Sequence, residues 1–181
     1  MILSIWFIIE AMKKYMNNIL IYIAAFFGII AFIGLFASPL QSYDSIKGVW
    51  SAYNVKAYLG ETVKQNETTI HVYRGTIAPI FGFIVPLLMA IILIIESFKP
   101  AWNAKIAAIN TAIALLFFAS AVLVLLTKEL FLEANNFGDT VTLRNGGGPF
   151  TSAICSTLAG IILLVVTWMP RKKKELDYIE K

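Results

Sequence analysis

At 181 residues, 59% of them hydrophobic and only 14% charged, with a mean hydropathy of +0.76, the chain carries more apolar surface than a water-soluble domain of its size can bury. The formal net charge of +4 does not point to a nucleic-acid partner, because the bases gather in short clusters beside apolar runs, where orientation signals lie. One cysteine, Cys155, sits inside an apolar run and excludes an intramolecular disulfide, while twelve lysines against three arginines and abundant isoleucine resemble the usage of an AT-rich bacterium.

The chain opens on an apolar stretch (Ile2, Leu3, Ile5, Trp6, Phe7, Ile8, Ile9) that is broken at Glu10. It is too short to cross a bilayer, so residues 1–18 are expected to form an interfacial segment. Read from Met12, Lys13 and Lys14 followed by the apolar run Ile19–Ala37 have the layout of a secretory signal, with Gly34 and Ala37 at the small-residue cleavage positions. Nineteen apolar residues exceed the roughly 7 to 15 of a signal core, which favours a retained first span over 19–37. From Ser38 to Gly75 the hydropathy collapses and the period changes to two. Val49, Ser51, Tyr53 and Val55 alternate with Trp50, Ala52, Asn54 and Lys56, and Thr68, Ile70 and Val72 alternate with Thr69, His71 and Tyr73 beyond a polar turn at Gln65, Asn66 and Glu67. This predicts a small antiparallel sheet in an exterior loop, 38–75.

Ile77–Ile95 is nineteen residues without a charge and Ile106–Thr127 is twenty-two. At about 1.5 Å rise per residue each crosses a hydrocarbon core of roughly 30 Å, giving a second span, 76–95, and a third, 106–127. Glu96, Lys99, Pro100 and Lys105 mark the turn 96–105 between them. In the second exterior loop, 128–149, Lys128–Glu133 is expected to prolong the helix and Asp139–Asn145 to form a strand paired with the first loop. Gly146, Gly147, Gly148 and Pro149 read as a flexible joint before a fourth span, 150–169. The tail 170–181 begins with Arg171, Lys172, Lys173 and Lys174, suited to anionic lipid headgroups at about 1 kcal/mol per base. Bases concentrated in the short segments (Lys13, Lys14, Lys99, Lys105 and the tail) place both termini on the cytoplasmic side of the plasma membrane. The fold class expected is an all-α membrane protein, a four-transmembrane-helix bundle with a small extracytoplasmic antiparallel β-cap from loops 1 and 2.

The three later spans contain no Asp, Glu, Lys, Arg or His, which argues against a coupled transporter. Asn110 is their most polar group, expected in an interhelical hydrogen bond. Pro86 leaves the Gly82 carbonyl without its helical donor, so a Gly82–Pro86 kink is expected. Small residues four apart, at Ala24 and Gly28, at Ala104, Ala108 and Ala112, and at Ser152, Ser156 and Gly160, suit close helix contacts within the bundle or self-association. His71 lacks a second ligand, Gly146–Gly148 lacks the Lys-Ser/Thr of a phosphate loop, and no Ser/His/Asp or Cys/His set can be assembled. No catalytic residue, metal or cofactor is expected. Asn66-Glu67-Thr68 would be a glycosylation acceptor in a eukaryotic source. Specificity is therefore expected in the cap, where Trp50, Tyr53, Tyr58 and Tyr73 supply the aromatics that recognition surfaces favour, the alternative for each being the cap's own small core or the headgroup level.

Four spans, a long first exterior loop with strand periodicity and a shorter second loop make a plan similar to the claudin-like tetraspan proteins. Gly48-Val49-Trp50 resembles the Gly-Leu-Trp of that family's first loop, and Arg74 stands, as there, just before the second helix. The paired loop cysteines of that family are missing here, so the resemblance implies an architecture and not a junctional role. The function expected is that of a non-enzymatic membrane protein working through its cap, as an accessory subunit or as a self-associating structural protein. Its partners would be lipid and other membrane proteins or itself. The alternative is a small transporter or channel subunit.

Overall fold

The computed structural model describes residues 2–44, 48–53, 55–65, 68–98, 104–136 and 142–168. It is mostly helical, with four helices long and apolar enough to cross a membrane: Asn18–Phe36, Ala78–Ser97, Ile106–Leu125 and Gly147–Trp168. Helix α1 runs from Ile2 to Ile33, so residues 2–18 continue the first span as one helix, and a 3-10 turn at Gly34–Phe36 ends it. The Glu10, Lys13 and Lys14 that interrupt the apolar run are not helix breakers, so hydropathy changes there while the backbone does not.

Strands β1 (Leu40–Asp44) and β2 (Val49–Ala52) follow, then a short helix α2 (Lys56–Leu59) and strands β3 (Gly60–Gln65) and β4 (Thr68–Arg74). Helices α3 (Ala78–Ser97) and α4 (Ala104–Leu125) come next. A break at Leu126 precedes α5 (Thr127–Asn135), and β5 (Leu143–Asn145) leads into α6 (Gly147–Trp168). Around the bundle α1 and α4 each pack against both α3 and α6, so the ring runs α1–α3–α4–α6. Its buried middle is Ile21, Ala24, Ala25, Ala90, Leu93, Ile113, Ala114, Phe117, Ala159, Leu163 and Val166.

The strands form two antiparallel sheets where one was expected. The strand read at 68–73 pairs with β3, and not with the strand read at 49–55. β2 ends at Ala52 and pairs with β1, which lies beside β5 on its other edge. Local geometry explains the shift. Gly60 adopts a φ of 85° at the end of α2 and starts a new strand there, so a strand unread in the sequence lies next to β4 in the chain and takes its pairing. Pairing of the second loop with the first was expected and is present in β1–β5.

Gly147 and Gly148 lie in the first turn of α6, so the fourth helix starts three residues earlier than expected, and the glycines are not a joint. A Cβ on Gly34 would sit 2.8 Å from the Gly148 carbonyl oxygen, which shows how closely the end of α1 and the start of α6 approach. Gly146 N–H donates to the Pro39 carbonyl (2.9 Å) and Gly148 N–H to the Ser38 carbonyl (3.1 Å). Close backbone approach is what these glycines supply.

Candidate interaction surface of the cap

Alternation along β1 and its neighbours divides the three-stranded sheet into two faces. Leu40 and Leu143 point inward and are buried with Ala57 and Phe131. Gln41 and Tyr43 point the other way; Gln41 faces Ala52 across β2 and Arg144 across β5, and Tyr43 faces Trp50. The Tyr43 and Trp50 rings lie 5.3 Å apart at 51°. The Arg144 guanidinium lies 4.0 Å from the centroid of the Trp50 ring, and its Nε donates to Gln41 Oε1 at 2.8 Å. Trp50 and Tyr43 remain 39% and 42% exposed, so the stack is a surface feature, pre-ordered by its own contacts. β2 is a sheet edge, and all four of its residues are exposed.

The other aromatics expected on a recognition surface do different work. Tyr58 is completely buried against Phe83 of α3, with ring centroids 5.6 Å apart, which pins α2 to the bundle. Its position is therefore a core position, and burial pushes its phenol well above the ordinary range. Tyr53 and Tyr73 are half-buried and pack with Phe131 of α5 in a triangle whose centroids are 5.7–5.9 Å apart. Of the four, Trp50 alone stands on the outward sheet face. Its companions Tyr43 and Arg144 were not singled out in the sequence. Tyr43 follows the first span so closely that its alternation with Ser42 and Gln41 is too brief to read, and Arg144 reaches Trp50 only through the β1–β5 pairing.

Polar side chains fasten the cap. Lys56 Nζ donates to Glu61 Oε1 at 2.8 Å and Tyr73 hydroxyl to Glu61 Oε2 at 3.1 Å. The lysine bond, then the tyrosine bond, hold the Glu61 carboxyl below the usual carboxylate range, while burial and then the Glu61 bond push Tyr73 up to about 12. Asn135 on α5 clasps Arg74 at the end of β4, accepting from its N–H (2.6 Å) and donating to its carbonyl (3.0 Å). Asn145 spans the α4–α5 break: Oδ1 accepts from Lys128 N–H at 3.0 Å and Nδ2 donates to the Leu125 carbonyl at 2.7 Å.

In the bundle, a Cβ on Gly28 would meet the Pro86 carbonyl oxygen at 2.8 Å, and one on Gly160 would meet Phe118 Cζ at 2.9 Å. Ala24, Ser152 and Ser156 are buried with them. Ala108 and Ala112 are exposed, so they take no part in packing within the bundle. The buried side of α4 carries Asn110, Ile113, Ala114, Phe117 and Ala121, and at 100° per residue 108 and 112 fall on the opposite side. α3 is helical through Pro86, and Gly82 serves as a contact, since a Cβ there would lie 2.7 Å from Val124 Cγ1. Asn110 Oδ1, Ser152 Oγ and Ser156 Oγ are buried without a hydrogen-bond partner among the described residues. Among the described residues no group of three His, Cys, Asp or Glu side chains is placed to hold a metal. The basic tail, Lys99, and the acceptor residues Asn66 and Glu67 lie outside the described residues.

No family model matches the chain, and no curated protein matches it in sequence. The claudin-like resemblance accordingly stays one of plan.

Proposed function

We propose that this chain is a non-enzymatic, multi-pass protein of the plasma membrane whose extracytoplasmic cap makes its working contacts, as an accessory subunit of a larger assembly or with further copies of itself. The observation that carries this reading is the exposed, pre-ordered Tyr43–Trp50–Arg144 stack beside an uncovered sheet edge. Aromatic and arginine side chains held in place lose little entropy on binding, which is why such groups dominate recognition surfaces. In this reading both termini are cytoplasmic, and a cysteine introduced at Lys64 is labelled only from outside the cell. Labelling only from the cytoplasm would reverse the topology and with it the site of the contacts.

The direct test is cross-linking in native membranes followed by purification of wild type and a Tyr43→Ala, Trp50→Ala variant. The expected result is that a defined cross-linked product is lost in the variant while the helices melt as in wild type. A second reading, a small transporter or channel subunit, is favoured by the buried and unpartnered Asn110 Oδ1, Ser152 Oγ and Ser156 Oγ. Reconstitution in sealed vesicles separates the two: selective solute flux that survives the cap substitutions would displace the interaction reading.

A further inference from the structure

We propose that the outward face of the β2-β1-β5 sheet receives an extended acidic segment from the exterior region of a partner protein, paired along the free edge of β2 and placing a carboxylate on Arg144. The proposal rests on the reading of the cap as a contact surface and supplies the chemistry of what it contacts.

Arg144 is held in one orientation twice over, by its Nε bond to Gln41 and by stacking on Trp50. The hydrogen bond to Gln41 engages Nε and neither of the two Nη nitrogens. Lys56 in the same cap is paired with Glu61 at 2.8 Å, whereas the Arg144 guanidinium has no carboxylate at ion-pair distance among the residues whose side chains are described, which leave out Asp44. A planar guanidinium fixed at Nε matches a carboxylate through two parallel N–H···O bonds and has little freedom left to lose.

The edge supplies the second half. Val49-Trp50-Ser51-Ala52 is exposed throughout and carries no lysine, proline or bulge, the devices that normally blunt a sheet edge. Its outer row of N–H and C=O groups is therefore a template for one more strand, which would lie about 4.8 Å away. The Arg144 guanidinium sits 4.0 Å from the centroid of the Trp50 ring, so it reaches across β1 toward a side chain of the edge strand, and in the proposed complex a glutamate of the added strand is set against it. Pairing of this edge with its own copy is disfavoured, since Val49, Trp50, Ser51 and Ala52 bring no carboxylate to Arg144 and the two guanidinium groups would repel. A lipid phosphate would satisfy the arginine alone and leave the edge unused.

The test uses the full chain in phosphatidylcholine nanodiscs and, as probe, a short capped peptide alternating Glu with Val. Comparison peptides carry Lys for Glu, or N-methyl groups on alternate backbone amides. The Glu peptide is expected to bind saturably and more weakly as salt rises, and the Lys and N-methyl peptides to bind at least roughly tenfold more weakly. Arg144→Gln should weaken the Glu peptide by roughly tenfold and Arg144→Lys by several-fold, because the lysine keeps charge but not the fork. Both substitutions are at an exposed position and should leave melting unchanged, and Gln41→Ala, which frees the guanidinium to rotate, gives an independent check. Equal binding of the Glu peptide by wild type and Arg144→Gln, equal binding of the N-methyl peptide, or displacement by inorganic phosphate or phosphatidylglycerol nanodiscs at matched concentration would each overturn the proposal. If the cross-linked product of native membranes depends on Trp50 and Tyr43 but not on Arg144, the cap remains the contact surface and the acidic partner is excluded.

Discussion

Replacing Asn145 by alanine tests whether the cap is clasped to the bundle by side-chain amides. Asn145 stands at the end of β5, opposite Leu40, and its amide bridges two backbone groups on either side of the α4–α5 break. With alanine, Lys128 N–H in the first turn of α5 and the Leu125 carbonyl at the end of α4 lose their partners together. Each net bond contributes about 1 kcal/mol at a half-exposed site, so the variant should lose about 2 kcal/mol. For a chain of 181 residues, a loss of that size corresponds to a melting shift of roughly 4–8 °C. Gln41→Ala is the control, because it removes one exposed side-chain bond to Arg144 and should shift melting by less than about 2 °C. The assay is thermal unfolding in detergent followed by circular dichroism, with hydrogen exchange of the α5 amides as the local probe. Unchanged melting and unchanged α5 protection in Asn145→Ala would refute the clasp, and equal losses for Asn145→Ala and Gln41→Ala would show that burial at the break does not matter.

Gly160→Ile should cost about 1–3 kcal/mol in the same melting assay, because a side chain there drives into Phe118 and the Ala114 carbonyl, whereas Ile161→Val, at a position 47% exposed, should stay within about 0.5 kcal/mol. Tyr58→Ala should cost about 3–5 kcal/mol and release the cap, while Trp50→Ala should leave melting nearly unchanged; the reverse order would mean that the two aromatics have been assigned to the wrong roles. Tyr73 titrates near 12 in the folded chain and near 10 when unfolded, so its neutral form adds stability that is complete below pH 10 and is lost as pH rises from about 10 to about 12. Tyr73→Phe should remove one late-titrating phenol from the tyrosinate absorbance and flatten that part of the stability profile. At the acid end Glu61, held low by Lys56, contributes stability present above its ordinary range and lost as pH falls through its depressed value, and Glu61→Gln should abolish that dependence.

The four spans were legible in the sequence because a run of about twenty apolar residues has one inexpensive fate in water and lipid, and that signal is local. Gly28 and Gly160 were readable as contact positions for a related reason: only a missing side chain lets helix backbones approach so closely. The same spacing at Ala108 and Ala112 lies on the side of α4 away from the bundle, since a stripe of small residues does not say which side of the helix meets a neighbour in the chain. In the cap, alternation showed that strands exist near Val49 and Thr68 but not which strands pair, because pairing joins segments that no local pattern compares, and β1, Leu40-Gln41-Ser42-Tyr43-Asp44, shows no clean apolar alternation. Trp50 could be found as an aromatic in the long polar loop after the first apolar run, yet its partner Arg144 lies 94 positions further along the sequence and meets it only across β1. Burial divides the aromatics in the same way. Tyr58, Tyr53 and Tyr73 are indistinguishable from Trp50 by residue type, and only the packing of Phe83 and Phe131 against them decides that they build the core while Trp50 and Tyr43 face outward. Composition and run length thus determined which helices are long and apolar enough to cross a membrane, and contacts between distant segments, invisible to any local window, decided what the cap presents.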